Sequence, residues 1–126
     1  TRVALVKEGG TYSVPAVING VITLQFTIDS GSSDVTIPAG VATTLIKKGT
    51  VRDLDFRGDM TYRLADGSTI KSKVFIIRSL KVGDRTLTNV KASISNEKGD
   101  ALLGQSFLER FKFWAIDNTT HDLVLQ

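Results

Sequence analysis

The stretch "FTIDSGSSDVTIP", Phe26 to Pro38, places an acid at the end of an apolar strand pattern and then breaks the chain with Ser30 and Gly31. The pattern carries Asp29 inward, where an ionised carboxylate is costly without a partner. Gly31 supplies the backbone freedom of a tight turn. Upstream, Val3 to Val6, Tyr12 to Ile18 and Val21 to Ile28 read as strands, and Asn19-Gly20 between the last two is a strong two-residue hairpin signal. The chain therefore enters Asp29 from a hairpin.

Downstream, Val35 to Ile37 forms another strand. Pro38 then opens a short helix with Val41 and Leu45 on one face, and Gly49 stops it. Met60 to Leu64 and Thr69 to Ile77 flank Ala65-Asp66-Gly67-Ser68, where the Asp-Gly pair suits positive φ at a hairpin tip. Leu80 to Val82 and Thr86-Leu87 bracket a tight turn at Gly83-Asp84, and Val90 to Ser95 supplies a further strand. Ser106 stands three residues before Glu109, the spacing of a capping box, ahead of apolar Phe107, Leu108 and Phe111, so a second short helix is expected there. Phe113 to Ile116 and Leu123 to Leu125 close the chain around Asp117-Asn118. The class is mainly β, with one or two short helices.

Length and composition narrow the possibilities. The 126 residues are expected to form one domain spanning 1–126, a length that buries roughly two thirds of its unfolded surface. With no cysteine, neither a disulfide framework nor a thiolate metal site is available. Sixteen basic and thirteen acidic residues give a net charge of +3, but the charges are dispersed and no basic stripe is interleaved with aromatics. That argues against a nucleic-acid or lipid surface. No apolar run approaches the ~18–20 residues of a membrane span. His121, the only histidine, has no metal-ligand spacing and is expected at the surface. Asn118-Thr119-Thr120 matches a glycosylation acceptor, a common chance match.

Asp-Ser/Thr-Gly alone is weak: a chain of this size holds one by chance about once in twenty. A lone Asp in a loop more often caps a turn than does chemistry. The context is far more specific, because the triplet lies between two apolar strands and is answered about seventy residues later by Leu102-Leu103-Gly104. This constellation resembles the aspartic proteases, and within them the single-domain retropepsin-like type with Asp-Thr-Gly or Asp-Ser-Gly at its centre. The resemblance runs from Val14 to Leu125. "VPAVINGVITLQFTIDSGSSDVTIP" is similar to the family's hairpin and catalytic loop, "YRLADGSTI" to its flap, and "ALLGQSFLERFKFWAIDNTTHDLVL" to its apolar-apolar-Gly motif, helix and closing hairpin. Retroviral members carry an Arg and an Asn or Asp after that glycine, where this chain has Gln105 and Ser106, and their flaps are richer in glycine.

The resemblance implies a closed acid-protease β-barrel with a flap hairpin, and peptide-bond hydrolysis without metal or cofactor. It implies a catalytic role for Asp29, loop and dimer hydrogen bonding for Ser30 and Gly31, and substrate contact for Ser32, Ser33, Asp34, Ala65, Asp66 and Gly67. Leu102, Leu103 and Gly104 would pack under the active loop. Amide hydrolysis needs a base for the water and an acid for the carbonyl oxygen and leaving nitrogen. Two carboxylates about 3 Å apart share one proton and do both. Because no second Asp-Ser/Thr-Gly occurs in the chain, the expected active form is a homodimer acting on a polypeptide. Terminal strands Val3 to Val6 and Leu123 to Leu125 are expected to hold it by their unpaired edges. The alternative is a catalytically silent β-domain that uses the same groove to bind a peptide or partner protein. A start at Thr1 rather than Met suits an excised domain. Bacterial relatives are often tethered to the envelope, so the resemblance leans toward the periplasmic, soluble part of a membrane-anchored protein.

Overall fold

The structure is a computed structural model describing residues 1–95 and 99–126. Its elements in chain order are strands β1 (Arg2–Ala4), β2 (Val6–Glu8), β3 (Thr11–Ile18), β4 (Ile22–Ile28) and β5 (Val35–Pro38), then helix α1 (Ala39–Lys47) and a 3-10 turn at Asp53–Asp55. Strands β6 (Phe56–Arg63), β7 (Thr69–Val82), β8 (Arg85–Ser95) and β9 (Leu102–Leu103) follow. Helix α2 (Gln105–Leu108) and strands β10 (Trp114–Asp117) and β11 (Asp122–Leu125) complete the chain.

Pairing closes on itself. β3 lies antiparallel to β4, β4 parallel to β9, β9 antiparallel to β5, β5 parallel to β8, and β8 antiparallel to β7. β7 then returns to β3 through Val17 opposite Lys81 and Ile18 opposite Leu80. Closure removes the free edges that an open sheet would expose. The core fills the ring: Val14, Ala16 and Ile18 alternate inward from β3, and Phe26, Ile37, Phe75, Ile77, Val90 and Leu103 meet them. Leu45 of α1 and Phe107 and Leu108 of α2 cap that core, all fully buried.

Local turn chemistry follows the sequence reading. Asn19 (φ 51) and Gly20 (φ 71) both adopt positive φ at the β3–β4 turn. Gly49 (φ 77) stops α1, with its N–H donating to the Ile46 carbonyl at 3.0 Å. The Asn19 side chain adds something no local pattern announces: its Oδ1 accepts from the N–H groups of Arg78 and Ser79, at 3.0 and 3.1 Å, across the closure of the ring.

Four expectations are corrected. Val3 to Val6 is not one strand: Leu5 is buried between β1 and β2, and its N–H donates to the His121 carbonyl at 2.8 Å. Thr69 to Ile77 and Leu80 to Val82 are one strand, β7, with an irregularity where Arg78 and Asn89 (φ 56) drop out of the ladder. Ser106 is no N-cap; Gly104 holds that position, and the Ser106 hydroxyl is engaged with other elements. Leu123 to Leu125 has no free edge, because β11 lies between β1 and β10 in a three-stranded sheet. Apolar Leu123 and Leu125 are fully buried, and burying them requires a covered strand.

Candidate active site

β4 delivers the chain to Asp29 in the ladder it shares with β9, where Ile28 pairs with Leu103 and the Asp29 N–H donates to the Leu103 carbonyl at 3.1 Å. The chain then turns. Gly31 N–H donates to Asp29 Oδ1 at 3.0 Å and Ser32 N–H to the Asp29 carbonyl at 3.2 Å. The carboxylate is therefore not carried inward as the strand pattern suggests. Asp29 is half-buried, and Ser30 and Gly31 are exposed, because the turn lifts the three residues out of the sheet before the core closes over them. A side-chain carbon on Gly31 would sit 3.4 Å from Asp29 Oδ1, in van der Waals contact with the carboxylate.

The loop rests on the segment after β9, which explains Leu102-Leu103-Gly104 physically. A side-chain carbon at Gly104 would lie 2.5 Å from the Ser32 carbonyl oxygen and nearer still to that of Asp34, so only glycine lets the two backbones meet. The N–H groups of Gln105 and Ser106 donate to the carbonyls of Ser32 and Ser33, at 2.8 and 3.0 Å. Gln105 Nε2 donates to the Ser30 carbonyl at 2.8 Å. The Ser106 hydroxyl accepts from Val35 N–H at 2.8 Å and donates to the Lys91 carbonyl at 2.7 Å. The two residues that depart from the retroviral pattern thus bind their own chain's active loop.

A cleft of about 540 Å³ separates this loop from the hairpin of β6 and β7. Its floor is Gly31 to Asp34 with Ser93 to Ser95, and its far wall is Met60 to Arg63 with Ile70 and Ser72. Asp34, 6% exposed, accepts from the Tyr62 hydroxyl at 2.5 Å, and Lys91 Nζ lies 3.7 Å from the same Oδ2. Burial first, and the neighbouring Asp34 carboxylate second, push the Tyr62 phenol up to about 12, with the Ser93 hydroxyl opposing them.

Of the residues singled out in the sequence, Ser32, Ser33 and Asp34 line this cleft, while Ala65, Asp66 and Gly67 do not. Those three form the exposed tip beyond it. Asp66 Oδ1 accepts from both the N–H and the hydroxyl of Ser68, which hold its carboxyl below the usual range, and Gly67 has φ 88. This tip projects past the wall that its own strands build. Tyr62, Lys91, Ser93 and Gln105 escaped the sequence reading. The signal for Tyr62 was present: Met60 and Tyr62 share a face by strand alternation, opposite Ser72 and Ile70. Among the described residues no cluster of three His, Cys, Asp or Glu could hold a metal ion, and no helix is long and apolar enough to cross a membrane.

Comparison with known proteins agrees with this geometry. No curated protein sequence matches the chain significantly. A solved structure described as a retropepsin-like aspartic protease from Rickettsia conorii is 27% identical and superposes with a TM-score of 0.68, covering 99% of this chain and 88% of its own. The model of the family described as "gag-polyprotein putative aspartyl protease" matches residues 14–110, from the hairpin before Asp29 to the end of α2. The chain belongs to that aspartyl protease family, and its mainly β fold is retropepsin-like.

Proposed function

We propose that this protein is an aspartic endopeptidase whose carboxylate dyad is formed by Asp29 of two copies related by a two-fold axis. The observation that carries the reading is the active loop itself: a half-buried Asp29 beside exposed Ser30, directly preceding the run from Gly31 to Asp34 that floors the cleft, on backbone that Gly104 allows to pack without a gap. One such loop is encoded per chain, so the second carboxylate comes from a partner. Two carboxylates in contact cannot both ionise; the charged one takes a proton from water while the neutral one protonates the scissile carbonyl oxygen. The base then returns its proton to the leaving nitrogen. Ser30 and Gly31 approach the axis, and a polypeptide lies extended between loop and hairpin, held by backbone hydrogen bonds.

A second reading, a domain that binds peptide in the cleft without cutting it, draws on the terminal strands. With β11 covered on both sides, the edges that the terminal three-stranded sheet leaves to pair with another copy are the outer ones of β1 and β10. A chain that stays monomeric has half a dyad. Asp29→Asn separates the readings: it is nearly isosteric, so it is expected to abolish peptide cleavage while leaving the thermal melting curve unchanged. Cleavage by the folded variant at the wild-type rate overturns the catalytic assignment. A wild-type chain that binds peptide at every concentration without cleaving it establishes the binding module instead.

A further inference from the structure

From Arg57 to Lys71 every residue of the β6–β7 hairpin is exposed except Tyr62. At its root the hairpin is well held, by the ring contact of Phe56 with Phe75 (5.8 Å between centroids) and by Asp55, which accepts from Arg78 Nε at 3.1 Å. Beyond the root, Gly58 (φ 84) and a register shift between Phe56 and Asp59 turn the strand away from the body. Among the described residues, the outer half meets the body through the Tyr62 hydroxyl, which donates to Asp34. The acceptor is unusually firm, since Asp34 is buried, its carbonyl accepts from the Ser32 hydroxyl at 3.0 Å, and Nζ of Lys91, on the β8 strand that carries Ser93 of the floor, lies 3.7 Å from its carboxylate.

We infer that Tyr62 and Asp34 form a tie across the cleft that fixes the height of the hairpin over the active loop, making both positioning residues for the peptidase reaction, a role that rests on the reading proposed above. The bond spans the gap that an extended peptide must enter, and both partners line it. A hairpin already held at that height meets part of the ordering cost of binding before the peptide arrives. A freely swinging one would be competent for only a fraction of the time and would bind more weakly by that fraction. A hydrogen bond to an ionised group is among the strong ones, so its loss is expected to be readable.

Hydrogen–deuterium exchange of the full chain tests the tie without reference to activity. Tyr62→Phe keeps the ring and removes the hydroxyl; it is expected to speed exchange of the amides from Met60 to Ser72 by about tenfold, with those of β3 and β4 unchanged. Asp34→Asn keeps a carbonyl acceptor and is expected to speed it less. Unchanged exchange in the hairpin overturns the inference. An equal rise in β3 and β4 also overturns it, because the bond would then support the whole fold rather than the hairpin. In peptidase assays of Tyr62→Phe, KM is expected to rise with kcat nearly unchanged. A fall in kcat at constant KM removes the positioning role. If no form of the protein cleaves peptide, the peptidase reading falls on that result alone, while exchange still decides the tie.

Discussion

The loop from Asp29 to Asp34 and the hairpin from Phe56 to Phe75 face each other across one cleft, yet they are held by different means. The loop is fixed through its backbone: the carbonyls of Ser32 and Ser33 accept from the N–H groups of Gln105 and Ser106, that of Ser30 accepts from the Gln105 side chain, and glycine at 104 is a steric necessity. Among the described residues, the hairpin joins the β8 ladder only at its root, through Val74 and Phe75, where Asp55 and Arg78 brace it, and its middle meets the body through the Tyr62 side chain. Backbone anchoring leaves little for the loop to do but hold its carboxylate still. Side-chain anchoring leaves the hairpin able to open when one bond breaks. A rigid wall and a yielding one suit chemistry that needs a precise acid and a strand-shaped guest.

The largest effect is therefore expected at the loop. Gly104→Ala sets a methyl group against two backbone carbonyls, neither of which can move without displacing the loop, and should cost about 3 kcal/mol or more. Thermal unfolding would show this as a fall in Tm of about 10 °C, with cleavage lost in whatever remains folded. A variant as stable as the parent would mean that the loop is less firmly seated than these contacts require.

The hairpin root comes next. Arg78→Ala leaves the buried Asp55 carboxylate with the Arg52 N–H and only the weaker pull of the Arg52 charge, and should cost about 2 kcal/mol, less than a fully buried pair because the guanidinium is partly in water. Burial alone would raise the Asp55 carboxyl, but the Arg52 N–H and the Arg78 guanidinium together outweigh it and hold the group below its usual range. A carboxyl lowered by folding contributes stability above its unfolded value near ~4, and that contribution is lost as the pH falls through the lower folded value. Denaturant midpoints measured between about pH 5 and pH 2 should accordingly fall more steeply for the parent than for Asp55→Asn. Parallel pH curves would mean that Asp55 does not hold the root through its charge.

The smallest effect belongs to the hairpin tip. Gly67 has φ 88 and open space around its missing side chain, so Gly67→Val meets backbone strain alone, about 1–2 kcal/mol. Turnover should fall several-fold further than that loss explains, since a misshapen tip would disturb the strands that lead from it to the wall closing on peptide. Equal losses in stability and turnover would make it an ordinary turn.

The contrast between the two walls also marks how far the sequence could be read. Asn19-Gly20, Gly49 and Gly67 were legible because each conformation is demanded by one or two residues with few alternatives, whereas Asp66, expected to share the positive φ of Gly67, does not. Asp29 was legible because a turn triplet between two apolar strands is rare. The return of β7 to β3, and the cover over β11 that buries Leu123 and Leu125, join segments some sixty and more than a hundred residues apart, and no local window holds both partners. The hydroxyls of Ser106 and Tyr62 were hidden for the same reason. Ser106 has the spacing of a helix cap, but the tertiary demand of Val35 N–H and the Lys91 carbonyl overrides it. Asp34 was expected to contact substrate, and its hydrogen bond to the Tyr62 phenol on β6 was not legible in the sequence.

The central claim is that each chain carries half an active site, and a mixing experiment tests it most directly. Peptidase activity of a fixed amount of wild-type chain is measured while inert Asp29→Asn chain is added, after time for the copies to exchange. If the dyad is shared and pairing is random, a fourfold excess of the variant leaves a wild-type chain paired with its own kind about one time in five, and activity per wild-type chain should fall toward that fraction. Activity that stays constant through the titration, with exchange of subunits shown by sedimentation of labelled chains, would contradict the shared dyad and with it the catalytic role of Asp29.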